Sequence, residues 1–387
     1  MKKKLAILGS TGSIGRTLLD IIKNDKDKFD VCLLTAKKNY KLIIKQAKFF
    51  DVKNIIVTDY KYYKITKLNL KNTNINVFNN FDDFKKIFKK KIDYTMSSII
   101  GLDGLYPTIK IIKHTKKIVI ANKEAIICGW NLIKKELKKN KTLFLPVDSE
   151  HFSIWKIIGF KKFNNVDKIF LTASGGPFLN MSSNQIKNVK ISESLKHPNW
   201  KMGKKISVDS ATMMNKIFEV IETKNIFSIS YKKIFILIHP TSYIHSIIKF
   251  NDGTSQLLAH DTSMKIPIFN TIYENTNKVI KTNKLDLNKL NNLNLEKIDK
   301  NKFPLLNILK LIPNKTSLFE TILVSSNDEY VNMFLNKKIK FHEISKKILN
   351  FVQLKEFQKF KKIHSFTIKD IAKLNEYVRL KINSLSV

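Results

Sequence analysis

Short apolar runs alternate with amphipathic stretches through the first 150 residues of the chain. The runs are strand-like and stand at 4–8, 31–35, 54–58, 94–100, 117–121 and 142–146. Consecutive parallel strands need a crossover long enough to hold a helix, and this rhythm supplies one between several of the runs. We therefore predict an α/β fold that begins with a Rossmann-like domain built on a mostly parallel sheet.

After residue 150 the secondary-structure pattern of the sequence changes twice. Strand-like segments at 168–174, 234–240 and 247–253 are mixed with helical patterns, which predicts an α+β region. An Asn/Lys/Thr-rich stretch of weak periodicity follows, and the remainder has helical spacing with one wide apolar face per helix. The predicted organisation is a Rossmann-like domain (1–149), a central α+β catalytic domain (150–273), a connecting segment (274–300) and a C-terminal helical domain (301–387).

A glycine-rich turn follows the first predicted strand. Gly9, Gly12 and Gly15 are spaced three apart and lead into an amphipathic helix that continues to Ile22. Glycines let the backbone approach a pyrophosphate, and the helix N-terminus presents N–H groups to it. The alternative is an ordinary tight turn between a strand and a helix.

Cations follow the second predicted strand. NAD-binding units usually place an acid about 20 residues beyond the glycines, where it binds the ribose 2′-hydroxyl. Here the strand ends in Ala36-Lys37-Lys38-Asn39. Lysines at this point favour a 2′-phosphate and hence NADPH, although a solvated lysine pair is an equally simple interpretation.

The hexapeptide 146–151, Pro-Val-Asp-Ser-Glu-His, places two acids at the end of an apolar run. Asp148 and Glu150 have i, i+2 spacing, which on a strand points both side chains the same way. Acids are scarce in this chain, since Asp and Glu number 32 against 70 Lys and Arg. Their position at the edge of a core raises the question of what they bind.

Residues 208–222 read as one amphipathic helix. Asp209 and Ser210 are natural N-cap residues, and an apolar face follows at helical spacing. Asn215, Glu219 and Glu222 share the other face. An amide, Lys216 and two acids can together hold a metal and a phosphate, whereas a solvated face with Glu–Lys pairs is the plainer alternative.

Three further stretches carry polar or small residues at strand ends or in loops. Residues 172–178 end a strand in Ser-Gly-Gly, which suits either anion binding or a plain loop. Residues 197–203 display His, Trp and Met in a polar loop, so the tryptophan either packs on the protein body or covers a ligand. Residues 121–125 end a central strand, where open α/β sheets bind their ligands.

The formal net charge of +38 suggests an anion-binding surface. Only two of the cations are arginines, Arg16 and Arg379, and the lysines are spread along the whole chain. Specific nucleic-acid readers rely on the bidentate fork of arginine. We therefore expect no nucleic-acid partner, and expect the charge to attract small anionic molecules.

Two cysteines, Cys32 and Cys128, have neither disulfide-framework nor metal-ligand spacing. The apolar run near the N-terminus, Leu5 to Leu8, is too short for a signal peptide. No stretch of about 18 apolar residues occurs, so no membrane span is expected. A cytoplasmic protein is the expectation.

Together these motifs resemble the 1-deoxy-D-xylulose-5-phosphate reductoisomerase family. The resemblance runs through "ILGSTGSIG", "ANKEA", "PVDSEH", "LTASGGPF", "HPNWKMGKKISVDSATMMNK" and "IHPTSYIHS", which together span about the first 270 residues. It implies an NADPH-dependent enzyme that rearranges and reduces 1-deoxy-D-xylulose 5-phosphate to 2-C-methyl-D-erythritol 4-phosphate in non-mevalonate isoprenoid biosynthesis. It also implies a divalent cation, Mg²⁺ or Mn²⁺, and a homodimer.

The resemblance implies roles for individual residues. The implied metal ligands are Asp148, Glu150 and Glu219, a set of oxygen donors that suits a hard cation. The implied phosphate contacts are Ser174, Ser210, Asn215 and Lys216. The other implied substrate contacts are Lys123, Ser149 and His197, with Trp200 and Met202 on a covering loop. The implied NADPH contacts are Thr11, Gly12, Ser13, Ile14, Lys37, Lys38, Asn39, Asn122, Glu124 and Gly203.

Of these residues, Lys123, Asp148, Glu150, His197 and Glu219 are the expected catalytic set. The substrate-binding set shares Lys123, Glu150, His197 and Glu219 with it. His245 matches a family histidine near the site and is a second-tier candidate, since a lone histidine in a strand is more often structural.

The chain departs from the family pattern at several positions. Lys37 stands where the family usually has glycine, Asp103 lies in a segment that is usually Gly-Ala-Ala-Gly, and Ile217-Phe218 replaces Gly-Leu. The first departure bears on cofactor affinity, the second adds bulk and an acid, and the third demands more room behind the helix. None of them removes an implied ligand.

Two other functions remain open from sequence alone. One is an NADP-dependent dehydrogenase that reduces its substrate without rearrangement, for which a metal triad and a phosphate site are unnecessary. The other is a basic nucleic-acid-binding protein with a Rossmann fold, which predicts binding that weakens steeply with salt.

Overall fold

The structure is a computed structural model that describes residues 2–159, 163–200, 202–274 and 276–385. The chain forms two compact units. Unit 1 comprises Met1–Asp148 and Met264–Lys281, and unit 2 comprises Ser149–Ser263 and Thr282–Val387. Strands and helices are numbered below in chain order, and each unit is described by itself.

Unit 1 is built on a seven-stranded parallel sheet. Its strands are β1 (Lys3–Leu8), β2 (Phe29–Ala36), β3 (Asn54–Val57), β4 (Asn76–Phe78), β5 (Ile92–Ser97), β6 (Thr115–Ile120) and β7 (Leu143–Pro146). Their order across the sheet is β4-β3-β2-β1-β5-β6-β7. The apolar side chains of the central strands are buried on both faces, as a helix-covered parallel sheet requires.

The helices of unit 1 alternate with its strands. They are α1 (Ser13–Ile22), α2 (Tyr40–Phe49), α3 (Tyr60–Asn69), α4 (Phe84–Ile87), α5 (Leu105–Ile112), α6 (Lys123–Asn140) and α12 (Lys265–Ile272). Because β1 pairs with β2 on one side and β5 on the other, the direction of winding reverses beside β1. Open α/β sheets bind ligands at such a reversal, outside the carboxyl ends of the strands.

All six strand-like runs predicted in this region are strands in the structure. Strand β4 is not predicted by the sequence pattern, because it has only three residues and lies at the edge of the sheet without a buried side chain. The predicted Rossmann-like sheet is thus confirmed, and the missed strand is the one with the weakest apolar signal.

A segment far along the chain completes unit 1. The Tyr94 hydroxyl and the Thr271 hydroxyl are 2.9 Å apart, and Lys3 Nζ donates to the Ile272 carbonyl at 3.0 Å. Ile268 and Ile272 are buried. The sequence assigned 264–273 to the central domain, whereas these contacts place it with the first sheet, because its apolar face is buried there.

Unit 2 contains a mixed five-stranded sheet. Its strands are β8 (Val166–Ala173), β9 (Ile234–Ile238), β10 (Ile244–Phe250), β11 (Ser255–Ala259) and β12 (Glu296–Lys297), in the order β11-β10-β8-β9-β12. Strands β8 and β9 are parallel, and the other pairs are antiparallel. The short β12 lies in the predicted connecting segment and pairs with Leu237 and Ile238.

Helices make up the remainder of unit 2. They are α7 (Ser149–Ile158), α8 (Ser183–Ile186), α9 (Ile191–Ser194), α10 (Lys204–Ala211), α11 (Met214–Phe227), α13 (Leu287–Asn291), α14 (Phe319–Leu335), α15 (Phe341–Val352), α16 (Lys355–Gln358) and α17 (Ile368–Ser384). The chain after residue 300 is helical, as predicted, and α14 is buried along nearly its whole length. In the part of the chain that the structure describes, no helix is long and apolar enough to cross a membrane.

Two local predictions were wrong. Residues 208–222 do not form one helix, because Met213 adopts a left-handed conformation (φ 66°) between α10 and α11. Asp209 and Ser210 are therefore inside α10 and are not N-caps. Glu150 does not continue a strand, since β7 ends at Pro146 and Glu150 lies in the first turn of α7.

Candidate active site

Two glycines of the turn in unit 1, Gly9 and Gly15, leave no room for a side chain. Gly9 has φ +86°, and a Cβ atom there would lie 2.9 Å from the Ser98 carbonyl oxygen. A Cβ atom on Gly15 would lie 2.5 Å from the Gly9 carbonyl oxygen. Gly12 is the N-cap of α1, and Thr11, Ser13 and Ile14 surround it at the helix start. A flat backbone surface at a helix N-terminus suits a pyrophosphate.

The predicted 2′-phosphate residues lie directly beyond β2, next to that turn in the sheet order. The Asn39 side chain caps α2 by accepting a hydrogen bond from the Leu42 N–H at 3.2 Å. Lys37 Nζ lies 2.8 Å from a carboxylate oxygen of Asp103, and Lys38 stands between Lys37 and Asn39 with an exposed side chain. The cations are therefore at the strand end where a Rossmann-like unit binds the adenosine ribose.

The segment after β6 places three more predicted residues. Asn122 is buried and caps α6 by accepting from the Ala125 N–H at 2.7 Å, while its amide donates to the Gly101 carbonyl at 2.7 Å. Glu124 is buried in the first turn. Lys123 Nζ lies 2.5 Å from Asp148 Oδ2. Lys123 and Asp148 thus meet at the carboxyl ends of the neighbouring strands β6 and β7.

Unit 2 holds a buried cluster of two acids and a lysine. Lys216 Nζ lies 2.9 Å from Glu150 Oε1 and also forms an ion pair with Glu219. Lys216 is 4% exposed and Glu219 is 2% exposed. The Asn215 amide donates to Glu219 Oε1 at 2.6 Å, and the Ser149 hydroxyl donates to Glu150 at 2.5 Å. The plainer alternative, a solvated helix face, is excluded by this burial.

Electrostatics keep the cluster charged. Burial by itself lowers the pKa of Lys216, but the neighbouring carboxylates of Glu150 and Glu219 outweigh burial, and the pKa of Lys216 is raised above its ordinary value. The lysine therefore stays protonated throughout the neutral range. The ammonium compensates the charge of both carboxylates, so removing the lysine would leave an uncompensated buried charge.

His151 holds the two acid-bearing helices together. Its Nε2 lies 3.0 Å from the Glu219 carbonyl oxygen and 3.1 Å from the Thr223 hydroxyl, which joins α7 to α11. His151 belongs to the hexapeptide 146–151, for which the sequence predicts a role only for Asp148, Ser149 and Glu150. The position of His151 next to Glu150, a proposed metal ligand, could have predicted such a role, because a polar side chain near a ligand often orients it.

The segments that carry Ser174 and Ser210 pack together in unit 2. The Ser174 hydroxyl accepts from the Gly176 N–H at 3.1 Å, and both Gly175 and Gly176 have positive φ. A Cβ atom on Gly176 would lie 2.9 Å from the Ala211 Cα and 3.1 Å from the Ser210 carbonyl oxygen. The Ser-Gly-Gly turn therefore packs closely against the end of α10.

His197 is locked in place by both ring nitrogens. Its Nδ1 accepts from the Asn199 N–H at 3.1 Å and the Trp200 N–H at 3.0 Å, and its Nε2 lies 3.0 Å from the Ser174 hydroxyl. Burial and then the positive charge of Lys216 lower the pKa of His197 to about 4. His197 is thus neutral near pH 7 and presents its Nε2 proton toward Ser174.

The loop tryptophan packs on a histidine pair. The rings of Trp200 and His245 meet edge to face at 6.0 Å, and His245 stacks on His260 at 3.8 Å. His245 is buried, and its Nε2 lies 3.1 Å from the His260 carbonyl oxygen. Met202 follows on the same loop, and Gly203, the last of the predicted cofactor residues, is the N-cap of α10 in unit 2.

The structure accommodates the departures from the family pattern. Ile217 and Phe218 are buried in α11, at 0% and 1% exposure, so the larger side chains pack into the core behind the helix. Asp103 pairs with Lys37, as described above.

The fold, the glycine turn of unit 1 and the acid–lysine cluster of unit 2 are those of an α/β nucleotide-dependent oxidoreductase. Three family profiles match the chain: "1-deoxy-D-xylulose 5-phosphate reductoisomerase" over residues 5–129, and two C-terminal domains of that family over residues 144–227 and 260–381. The chain belongs to the 1-deoxy-D-xylulose 5-phosphate reductoisomerase family.

Individual relatives agree over the full length. The 1-deoxy-D-xylulose 5-phosphate reductoisomerase of Pelagibacter ubique is 59% identical over 387 residues, covering 100% of both chains. The enzyme of that name from Wolbachia pipientis is 36% identical and covers 99% of this chain and 97% of its own.

Solved structures agree as well. The Zymomonas mobilis 1-deoxy-D-xylulose 5-phosphate reductoisomerase in complex with NADPH has a TM-score of 0.89 and 30% identity, and the match covers 100% of this chain and 99% of that one. A DOX-P reductoisomerase in complex with NADPH, fosmidomycin and magnesium has a TM-score of 0.90 and 28% identity, with 99% and 98% covered.

Proposed function

We propose that this chain catalyses the NADPH- and divalent-metal-dependent rearrangement and reduction of 1-deoxy-D-xylulose 5-phosphate to 2-C-methyl-D-erythritol 4-phosphate. This reaction belongs to non-mevalonate isoprenoid biosynthesis, which yields isopentenyl diphosphate. The observation that carries the proposal is the buried cluster of Glu150, Lys216 and Glu219, in a chain that belongs to this family.

The glycine turn of unit 1 fits NADPH. Only glycine fits at Gly9 and Gly15, so the backbone can lie against a pyrophosphate at the start of α1. The proposed cofactor contacts are Thr11, Gly12, Ser13, Ile14, Lys37, Lys38, Asn39, Asn122, Glu124 and Gly203. Lys37 and Lys38 supply the positive charge that a 2′-phosphate requires, and Asn39 fixes the start of the following helix.

A divalent cation fits the acids of the candidate site. We propose Asp148, Glu150 and Glu219 as its ligands, because Mg²⁺ and Mn²⁺ prefer carboxylate oxygens. Within the described residues, Asn215 Oδ1 is buried without a hydrogen-bond partner, which leaves an acceptor beside Glu219 for a coordinated water or a substrate hydroxyl. When bound, the cation supplies Lewis-acid polarisation of substrate oxygens.

The substrate phosphate fits the hydroxyl, amide and ammonium groups of unit 2. The proposed contacts are Ser174, Ser210, Asn215 and Lys216, and all are neutral donors except the lysine. Ser174 and Ser210 lie on segments that pack together through Gly176, and Lys216 remains protonated. A phosphate between these groups replaces part of the negative charge that Glu150 and Glu219 now present to Lys216.

The remaining proposed contacts position the sugar and exclude water. Lys123 and Ser149 stand beside Asp148 and Glu150 respectively and can donate to substrate hydroxyls. Neutral His197 donates its Nε2 proton without adding charge to the site. Trp200 and Met202 lie on the loop after His197, and an aromatic cover excludes water during hydride transfer.

We also propose that the chain acts in the cytoplasm as a homodimer. Neither Cys32 nor Cys128 is in a disulfide within the described residues, which suits a reducing compartment. The dimer rests on the family resemblance. Light scattering of the purified protein tests it, since a monomeric mass at working concentration would contradict the proposal.

The function is tested by following loss of NADPH absorbance with 1-deoxy-D-xylulose 5-phosphate, first with Mg²⁺ and then with EDTA. Turnover that needs both the sugar phosphate and the metal is expected, and the product must be the branched polyol phosphate. A reduced but unrearranged product would indicate a simple dehydrogenase instead. Folded, metal-loaded protein without turnover would overturn the proposal.

A further inference from the structure

An exposed ion pair joins two loops at the cofactor end of unit 1. Lys37 Nζ lies 2.8 Å from Asp103 Oδ2, and the two side chains are 68% and 69% exposed. Lys37 is the first residue after β2, and Asp103 lies in the short 3-10 turn Leu102–Gly104 after β5. The partners are therefore far apart in sequence and meet only because the sheet brings their strand ends to the same edge.

The sheet order shows what this pair spans. Strand β1 lies between β2 and β5, and its carboxyl end continues into the glycine turn. Lys37 and Asp103 are thus on opposite sides of that turn, and their ion pair joins the loops that flank it. In a doubly wound sheet this is the crevice that receives a dinucleotide.

We propose that Asp103 is a specificity-determining residue that weakens the preference of this protein for NADPH over NADH. The inference rests on the proposed function. Asp103 competes with the 2′-phosphate of NADPH for the ammonium of Lys37, and its carboxylate repels that phosphate. Toward NADH the same carboxylate is favourable, because it can accept a hydrogen bond from a ribose hydroxyl, as the acid of NAD-binding units does.

The size of the effect follows from exposure. Exposed ion pairs of this kind contribute little to stability, and salt screens them. Releasing Lys37 from Asp103 should therefore change the ratio of the two dissociation constants by about two- to fivefold. A much larger change is not expected from charges that water surrounds.

The experiment measures the dissociation constants of NADPH and NADH from the fluorescence of the bound dinucleotides, with no turnover required. Asp103→Asn should raise the ratio of NADH to NADPH dissociation constants by about two- to fivefold at low salt, and the gain should shrink at high salt. Asp82→Asn is the matched control, because Asp82 is also an exposed acid of unit 1 that pairs with a lysine, Lys110, at 3.3 Å. In Asp82→Asn the ratio of NADH to NADPH dissociation constants should equal that of the parent.

A double-mutant cycle tests competition for Lys37. In a Lys37→Gln background, Asp103→Asn should give a smaller gain than in the parent, since there is no ammonium to release. If Asp103→Asn raised the ratio of NADH to NADPH dissociation constants as much in that background as in the parent, Asp103 would not compete with the 2′-phosphate for Lys37. An unchanged or lowered ratio in Asp103→Asn, with normal NADPH binding by the parent, would overturn the inference and leave the function standing. Failure of the folded parent to bind either dinucleotide would overturn both.

Discussion

At the scale of single residues, Lys216 determines how the candidate site can be charged. Its ammonium is buried between the carboxylates of Glu150 and Glu219. Removing one partner of a buried pair leaves an uncompensated charge, which costs much more than losing an exposed ion pair. Burial lowers the pKa of His197, and the charge of Lys216 lowers it further. One lysine therefore links the proposed metal ligands, the phosphate contacts and the histidine.

The Glu219→Gln variant tests the acid on α11. We expect turnover to fall by about a hundredfold or more, on the scale of losing one preorganised charged group at an active site. NADPH binding should stay within about twofold of the parent value, because the proposed adenosine-side contacts are in unit 1. Steady-state kinetics and dinucleotide fluorescence measure the two effects.

The control for that variant is Glu376→Gln, which removes an exposed carboxylate on α17. It should leave both turnover and binding unchanged. Normal metal-dependent turnover in Glu219→Gln would contradict the proposed ligand set. A melting curve shows whether the variant is folded, since the change leaves Lys216 with Glu150 as its remaining acidic partner among the contacts described above.

The lowered pKa of His197 predicts a pH dependence of stability. The pKa is about 4 in the folded protein against 6.5 ordinarily, so the unfolded chain binds the proton first as pH falls. The contribution of His197 is present above pH 6.5 and is lost as pH falls through about 4. In His197→Asn, unfolding free energy should decline less between neutral and acid pH than in the parent.

Urea denaturation at several pH values measures this difference. The control is His342→Asn, which makes the same substitution at an exposed histidine on α15. His114 also has a pKa lowered to about 4 by burial and the charges of nearby lysines, so part of the parent's decline remains in either variant. Identical pH profiles for His197→Asn and the parent would show that His197 is not held neutral.

At the scale of elements, a change of backbone direction decides where the phosphate contacts lie. The left-handed conformation of Met213 ends α10 and begins α11, so Ser210 and Asn215 belong to different helices. α10 is also tied to α14, since the Asn327 amide donates to the buried carboxylate of Asp209 at 2.8 Å. The C-terminal helices thus help to position the end of α10 that carries Ser210.

Another left-handed residue offers a stability prediction. Lys141 is exposed, has φ 50°, and is the C-cap of α6, where its N–H bonds to the Leu137 and Lys138 carbonyls. Glycine adopts this conformation without the steric cost of a Cβ atom, so Lys141→Gly should stabilise the protein by about 0.5–1 kcal/mol. Denaturant unfolding measures the gain, and turnover should not change.

The matched control makes the same substitution two residues earlier, within the helix, where glycine is unfavourable. Lys139 is exposed and lies inside α6, where Lys139→Gly should destabilise the protein by about 1 kcal/mol. Opposite signs for the two variants are the expected result. Destabilisation by both would mean that the unfolded-state entropy of glycine outweighs the relief of strain at Lys141.

At the scale of the whole molecule, the net charge of +38 acts on every anionic ligand. The proposed substrate and cofactor are both multiply charged anions, and a positive field raises their association rates. The field is screened by salt over about 10 Å at 0.1 M ionic strength. The charge therefore favours binding without specifying what is bound.

Screening of this positive field by salt predicts that kcat/KM for the sugar phosphate falls severalfold between about 0.05 and 0.5 M salt, while kcat at saturating substrate changes little. Initial rates at both extremes measure the two constants. Salt-independent kcat/KM would show that the field does not assist binding. Tight, salt-steep binding of DNA that survives Glu219→Gln would instead support the nucleic-acid-binding alternative.

The sequence by itself determined the elements whose signals are local. Apolar runs predicted six strands of the first sheet, and the spacing of Gly9, Gly12 and Gly15 predicted a turn in which Gly9 and Gly15 leave no room for a side chain. Burial of apolar side chains and steric limits on the backbone act over a few residues, so a pattern can reveal them. The candidate site residues followed from motifs together with a family resemblance.

Features that depend on contacts between residues far apart in sequence were decided only by the tertiary structure. It showed that Glu150 starts a helix, that Met213 splits the 208–222 segment, and that 264–281 packs with the first sheet. It also paired Lys37 with Asp103, which are 66 residues apart. Burial and ion pairing act between any groups that the folded chain brings together. A local sequence pattern does not show which distant residues will meet.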